Sequence, residues 1–250
     1  MILSISVPGK ERVLSFVWQH ILLIASLYLM TLGVVLCIKS NLGSSVISSL
    51  PLSFSLAGSS GLVPPLTVGG YTIAMNFILV FLQILILRSK FHPLQLFQLL
   101  IGLVFGWLID LNMIVTAGLV CESIVSKIIT QFAGCTVMAA GIAFEVRCGS
   151  VTMPGEGLPV ALSRVTGKPF PKLKIMVDTT LVALAIVSGF VFFGRWDWSI
   201  IGPGTIFAMF YVGSVIKLLN PHIEWFGKVL AYNPGFRRYI IGLAKFIYKK

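Results

Sequence analysis

Residues 141–159 read GIAFEVRCGSVTMPGEGLP, and the organisation of the chain follows from this stretch. It begins like the end of a membrane helix. It then breaks into glycines and prolines, with Glu145, Arg147 and Glu156 where an ordinary span would stay apolar. Unpaired backbone amides cost several kcal/mol in hydrocarbon, so lipid cannot surround such a break. We therefore expect the break to be buried in protein or to line a cavity.

A weaker copy of this stretch lies 108 positions earlier, at residues 33–51. Over the 23 aligned positions that end at Ser55, four are identical and one is a matched cation. These pairs are Gly33 and Gly141, Lys39 and Arg147, Leu50 and Leu158, Pro51 and Pro159, and Ser55 and Ser163. We interpret the two stretches as facing halves of one site.

Both broken segments, residues 41–56 and 149–164, are too short to span a bilayer. We expect each to form a short helix that enters its own side of the protein. The alternative is two amphipathic loops that lie at the membrane surface. The first segment is rich in serine, including Ser44. A serine at a helix start satisfies free amides, and the positive end of the helix dipole favours an anion.

The composition places the chain in a membrane. Hydrophobic residues make up 57% and charged residues 11%, and the mean hydropathy is +0.98, whereas soluble domains carry roughly 25% charged residues. We expect one membrane domain over residues 17–219, between a cytoplasmic N-terminus (residues 1–16) and a cytoplasmic tail (residues 220–250). The 250 residues leave no room for a separate soluble catalytic domain.

Six apolar segments reach the length of a membrane span. They are approximately Val17–Ile38, Leu66–Leu87, Leu94–Leu111, Ile128–Val146, Ile175–Phe193 and Ile200–Leu219. With the N-terminus inside, sixteen Lys and Arg residues are cytoplasmic and three are outside. Cytoplasmic loops are enriched in these residues, so we expect both termini in the cytoplasm.

Each half of the chain, residues 17–117 and 128–219, has one span, a broken segment and two further spans. Asn76 in the second span corresponds to Asp178 in the fifth. Three spans per half is an odd number, so the second copy must be inverted. The predicted fold is therefore an all-α membrane helix bundle of six spans with a 3+3 inverted repeat. Such repeats are typical of secondary transporters, which bind substrate between the halves.

Ionisable and polar groups at membrane depth are costly and are therefore candidates for function. The candidates for binding substrate or protons are Asp110, Glu145, Arg147, Glu156, Asp178, Lys39, Asn76 and Ser44. In one interpretation, an acid among them carries a proton and a cation meets an anionic solute. In the other, the acids pair with cations or cap broken backbone, and the cations extend to the interfaces.

Other classes of function find little support. The basic residues form no separate domain, which argues against nucleic acid. The four cysteines contain no CxxC pair and the three histidines form no HExxH motif, so we expect no metal site, cofactor or disulfide framework. There is no GxxxxGKS/T loop. We expect a protein that is not an enzyme.

The tail predicts a basic amphipathic helix from Phe236 onward. Its apolar residues are Phe236, Tyr239, Ile240, Leu243, Phe246 and Ile247, opposite Arg237, Arg238, Lys245 and Lys249. We expect it to lie on the cytoplasmic surface against anionic lipid headgroups.

Four stretches of the chain carry a resemblance to a known family: residues 31–44, 102–110, 140–147 with 154–159, and 172–178. Through them the chain resembles the YczE/YyaS/YitT-like bacterial integral membrane proteins. The resemblance implies a multi-pass protein of the bacterial cytoplasmic membrane with poorly defined biochemistry. We expect a secondary transporter or permease for a small polar or anionic solute, with a proton as one candidate coupling ion. The alternative is a non-transporting accessory or scaffold protein for a biosynthetic or secretion partner. Substrate, direction, coupling ion and oligomeric state stay open.

Overall fold

The structure, a computed structural model, describes residues 9–148 and 153–226. These residues form eight α-helices and no strand, which confirms the all-α class. The helices are α1 (Gly9–Lys39), α2 (Val46–Ser59), α3 (Val68–Leu87), α4 (Phe97–Val115), α5 (Ile124–Cys148), α6 (Pro154–Thr166), α7 (Phe170–Phe193) and α8 (Pro203–Leu219). The predicted tail helix from Phe236, and residues 149–152 of the second broken segment, lie outside the described residues.

Five helices are long and apolar enough to cross a membrane: those at Phe16–Lys39, Val68–Lys90, Pro93–Val115, Ile124–Cys148 and Phe170–Phe193. Their outer faces carry exposed apolar side chains, such as Trp107 at 63% and Val191 at 73% exposure. Soluble proteins rarely expose extended surfaces of this kind, whereas lipid tails solvate them. The chain is a multi-pass integral membrane protein.

The sixth predicted span differs from the expectation. Residues 200–202 are not helical: the backbone N–H groups of Ile200 and Ile201 donate to the carbonyl of Asp197 at 3.2 Å in a single turn, and the backbone of Gly202 is then extended, with φ −142° and ψ −170°. The helix α8 begins only at Pro203, a residue that suits the first helical position, and its 17 residues make it shorter than the five spans.

The helices α1 and α5 form the central antiparallel pair, and glycines let their backbones meet. A Cβ added to Gly33 would lie 2.6 Å from the Cα of Met138. A Cβ added to Gly141 would lie 2.7 Å from the Cα of Met30. The two contacts are related by the same shift of 108 positions that relates the two broken segments. No side chain larger than hydrogen fits at either glycine.

The short helices α2 and α6 come from the two broken segments, and the shift of 108 maps the first residue of α2, Val46, onto the first of α6, Pro154. Each contains an internal proline, Pro51 or Pro159. Both pack between α3 and α7. The helix α2 is joined to α7 by the hydroxyls of Ser53 and Ser188, 2.8 Å apart, so these segments are helices packed into the protein.

The helices α4 and α8 flank the central pair. Asn112 of α4 donates to the hydroxyl of Thr31 in α1 at 2.9 Å. Gln131 of α5 donates to the carbonyl of Gly204 in α8, also at 2.9 Å. In addition, α3 packs closely against α4, whereas α7 and α8 make hardly any direct contact. This difference leaves a gap between α7 and α8.

The four cysteines are buried thiols. Two of them, Cys37 and Cys135, face each other across the central pair with their sulfurs 3.7 Å apart, which is too long for a disulfide bond.

Candidate functional site

A cavity of about 330 Å³ occupies the gap between α7 and α8. It receives residues from both halves of the chain, including the starts of the short helices α2 and α6. Its lining consists of Met30, Ser45, Val46, Ile47, Met138, Ile142, Met153, Glu156, Lys174, Ile175, Asp178, Ala208, Met209, Val212, Gly213 and Ile216. The volume is at the lower end for ligand pockets and suits a small solute.

Among the described residues, three charged side chains contribute to the lining. Lys174 and Asp178 lie one turn apart on α7, and the ammonium donates to the carboxylate at 2.9 Å. Glu156, in the first turn of α6, adds a second carboxyl. Burial raises the pKa of the Glu156 carboxyl; the Lys174 ammonium opposes the rise and the Asp178 carboxylate adds to it. Glu156 therefore keeps its proton to a higher pH than an exposed glutamate.

The rest of the lining is mainly apolar and rich in methionine: Met30, Met138, Met153 and Met209. Methionine is flexible and polarisable, so such a wall adapts to the shape of a solute. The start of α2 adds Ser45, Val46 and Ile47. The expectation that a serine caps this helix is wrong, because the hydroxyl of Ser45 makes no cap bond and pairs with the hydroxyl of Ser48 at 2.7 Å.

Asp110 is not part of this cavity lining; it caps α3. One carboxylate oxygen accepts from the hydroxyl of Thr67 at 2.6 Å, and the other accepts from the backbone N–H of Gly69 at 2.9 Å. This geometry matches the structural alternative for this acid, which is the capping of free backbone at the start of a helix.

We expect Asp110→Ala to lower the free energy of unfolding by about 1–3 kcal/mol, because it removes two hydrogen bonds to a charged acceptor. Thermal unfolding of the purified protein in detergent measures this change. Asp197→Ala removes a carboxylate that accepts from Ser199 in a surface turn and serves as the comparison. An unchanged melting temperature for Asp110→Ala would show that the cap does not stabilise the fold.

Three further predicted residues lie outside the cavity lining. Arg147 donates to the carbonyl of Asn220 and ties the end of α5 to the end of α8. The hydroxyl of Ser44 donates to the carbonyl of Ile200 at 2.8 Å and holds the loop before α2 against the turn before α8. Lys39 is half-buried in the last turn of α1. These contacts of Arg147 and Ser44 join neighbouring segments of the fold.

Glu145 is 6% exposed on α5, close enough to Glu156 for the two carboxyl charges to interact. The structure therefore brings the two predicted acids near each other, with Glu156 in the cavity lining and Glu145 buried outside it.

Asn76 is buried between α3 and α4, where its amide lies 3.0 Å from the position of a Cβ on Gly102. It is 1% exposed, and neither its Nδ2 nor its Oδ1 has a hydrogen-bond partner among the residues that the structure describes. A second amide, Gln98 of α4, has an Oε1 that likewise lacks a partner there, and it lies against Gly157 of α6 beside Gln83. Native proteins contain few such atoms.

Of the eight predicted residues, the structure brings only Glu156 and Asp178 into the cavity lining. Sequence reasoning missed Lys174, although its spacing of four residues from Asp178 is the signal of a helical ion pair. It also missed the methionines and the amides of Gln83 and Gln98. The methionines carry no sequence signal, because a methionine in an apolar span is ordinary.

Comparison with known proteins agrees with the resemblance expected from the sequence. Residues 17–221 match a family described as "Family of unknown function (DUF6198)". The chain is also similar to a Bacillus subtilis (strain 168) protein named "Uncharacterized protein YyaS", with 27% identity over 198 residues, which cover 78% of this chain and 89% of the relative. No solved structure matches the chain. The chain is a YyaS-like integral membrane protein and belongs to the DUF6198 family.

Proposed function

We propose that the protein is a secondary transporter, or permease, for a small polar solute, and that it resides in the bacterial cytoplasmic membrane. The observation that carries the proposal is the cavity between α7 and α8, which combines a charged group (Glu156, Lys174 and Asp178) with an adaptable methionine wall. Charged groups at membrane depth are costly and are retained where they meet a solute or an ion.

The proposal includes a 3+3 inverted repeat in which α8 is a short sixth span. Three observations support it. The contact of Gly33 with Met138 is repeated by Gly141 with Met30. The helices α2 and α6 start 108 positions apart. The repeat maps α1, α2, α3 and α4 onto α5, α6, α7 and α8. Under this mapping, the contact of α2 with α7 corresponds to that of α6 with α3, the contact of α1 with α4 to that of α5 with α8, and the contact of α2 with α3 to that of α6 with α7. Transporters with such repeats bind substrate between the two halves.

The positive-inside rule gives the orientation in this proposal, with both termini in the cytoplasm. The start of α7 then lies on the cytoplasmic side, and the charged part of the cavity lies toward the same side, since Lys174 and Asp178 are in the first three turns of α7. The Thr67 and Asp110 contact lies on the opposite side, where α3 begins and α4 ends.

Within the class of small solutes, the cavity favours a neutral or zwitterionic molecule over a simple anion. Among the described lining residues, Lys174 is the one cation, and it already pairs with Asp178. Glu156 adds a further carboxyl, which repels an anion when it is ionised. A proton on Glu156 removes this charge, so Glu156 is the residue to which we assign proton coupling.

The test is uptake into vesicles reconstituted with the purified protein. Alanine serves as a zwitterionic probe, glycerol as a neutral probe and inorganic phosphate as an anionic probe. We expect saturable uptake of alanine or glycerol and no uptake of phosphate. Absence of uptake for all three, with intact folding, would favour a non-transporting accessory or scaffold protein.

Glu156→Gln is expected to abolish the pH dependence of uptake. In the wild type, the pKa of Glu156 is raised, so the uptake rate should change at a pH above the ordinary pKa of a glutamate, which is about 4.3. Glutamine cannot release a proton, so the profile becomes flat in this region. Glu224→Gln, at an exposed position, is the matched control and should retain the wild-type profile. A wild-type profile in Glu156→Gln would remove Glu156 from the coupling mechanism.

A further inference from the structure

We propose that the closed seam between α3 and α4 opens to form a second cavity, equivalent to the one between α7 and α8, in which Asn76 hydrogen-bonds a small polar solute. The α3–α4 seam consists of Gly69, Ile73, Asn76, Gly102 and Gly106. This inference rests on the proposed transport function and assigns a binding role to the sealed half of the molecule.

The residues of the seam correspond to residues that line the cavity. A shift of 102 positions maps the start of α3 onto the start of α7, and it maps Ile73 onto Ile175 and Asn76 onto Asp178. Both partners on α7 line the cavity. Asn76 and Asp178 each lie eight residues after the first residue of their helix.

The same correspondence holds for the second helix of each pair, α4 in the seam and α8 at the cavity. A shift of 107 positions maps Gly102 of α4 onto Met209 of α8, and Gly106 onto Gly213. Both partners on α8 line the cavity. Residues that line the open gap between α7 and α8 therefore correspond to residues that are in contact between α3 and α4.

The contacts in the seam are tight. A Cβ on Gly106 would lie 2.5 Å from Cγ1 of Ile73 and 2.6 Å from the carbonyl oxygen of Gly69. A Cβ on Gly102 would lie 3.0 Å from Nδ2 of Asn76. Among the neighbouring helix pairs of the described chain, α3 with α4 and α7 with α8 break the pattern of repeated packing. One of these two pairs is closed and the other is open, as alternating access between inverted halves requires.

The amide of Asn76 is the independent observation that points to a ligand. Within the described part of the chain, both of its polar atoms lack partners at 1% exposure. Buried polar groups without partners are costly. A solute that enters an open seam supplies the missing donor and acceptor, whereas the closed seam leaves the amide unsatisfied.

The Asp110 carboxylate then acts as the latch of the closed seam. It lies near the end of α4 and accepts from Thr67 and Gly69 at the start of α3. These contacts must break when the two helices separate. Asp110→Ala is therefore expected to increase the open population.

Thiol labelling in sealed vesicles tests the inference. The four native cysteines are first replaced by alanine, and single cysteines are introduced by Asn76→Cys, Asp178→Cys or Leu79→Cys. A membrane-impermeant maleimide is then added on one side at a time. Asp178→Cys reports the open cavity. Leu79→Cys is the control, because Leu79 is also buried on α3 but packs in an apolar cluster with Leu158 and Leu181 and lies outside the seam.

We expect Asp178→Cys to react from the cytoplasmic side and Asn76→Cys to react from the opposite side. Adding Asp110→Ala should accelerate labelling of Asn76→Cys by roughly tenfold or more, because both hydrogen bonds that the carboxylate accepts from the start of α3 are lost. Leu79→Cys should stay unreactive. Ile73→Cys, which faces Gly106 across the seam, is the second reporter if Asn76→Cys fails to fold.

The inference is overturned if neither seam reporter reacts faster than Leu79→Cys from the outside, with or without Asp110→Ala. Alanine uptake, measured on the native protein in the same vesicles, separates the two proposals. Alanine uptake together with an unreactive seam would contradict only the proposal of a second cavity. A reactive seam without uptake of any probe would contradict only the proposed transport function.

Discussion

Gly33→Leu is expected to yield no folded protein. A Cβ at this position would collide with the backbone N of Met138 and lie 2.6 Å from its Cα, and these backbone atoms cannot rotate away as a side chain would. Overpacking a core by side chains alone costs about 1–3 kcal/mol. Separating α1 from α5 costs more, because this is the central helix pair, and proteins are stable by only about 5–15 kcal/mol.

The measurement is the yield of monodisperse protein after extraction in mild detergent and size-exclusion chromatography. Gly141→Leu should fail in the same way, because Gly141 makes the equivalent contact with Met30. Gly189→Ala is the control: it lies inside α7 with no described atom within 4 Å of an added Cβ, and we expect normal yield. Normal yield for Gly33→Leu would show that the two backbones do not meet at this glycine.

Gly213→Trp is expected to abolish solute uptake while the protein remains folded. Gly213 lines the cavity, and a Cβ at this position meets no described atom within 4 Å. An indole ring can therefore extend into the space of about 330 Å³ without displacing the helices. A solute that needs this space is excluded, so the expected loss is complete.

Uptake of alanine or glycerol into reconstituted vesicles measures the effect, and the melting temperature in detergent checks the fold. Gly118→Trp adds the same ring at an exposed position, again with open space around its Cβ in the described structure, and should leave uptake unchanged. Wild-type uptake by folded Gly213→Trp would mean that the cavity between α7 and α8 is not on the solute path.

The two candidate aspartates, Asp110 and Asp178, have different structural environments. Both Asp110 and Asp178 stand out in the sequence as acids inside or beside apolar runs. The structure uses Asp110 as a backbone cap for α3 and places Asp178 in the cavity lining. The free backbone that Asp110 satisfies belongs to a helix start 41 positions earlier in the chain, so its role depends on a tertiary contact.

The sequence by itself determined the membrane environment, the all-α class and the approximate positions of five spans. These follow from composition and from the length of apolar runs, because lipid forces every backbone amide into local hydrogen bonds. It also placed the two short helices, since the prolines and glycines of these two segments interrupt the apolar runs.

Only the tertiary structure decided which polar residues meet. Lys174, Asp178 and Glu156 come together because α6 folds back against α7, and Asn76 is sealed because α4 packs on α3 through glycines. Whether a pair of helices closes or leaves a cavity depends on the fit of their facing surfaces, which apolar periodicity does not encode. The shift of 108 positions was visible in the sequence, but the gap between α7 and α8 was not.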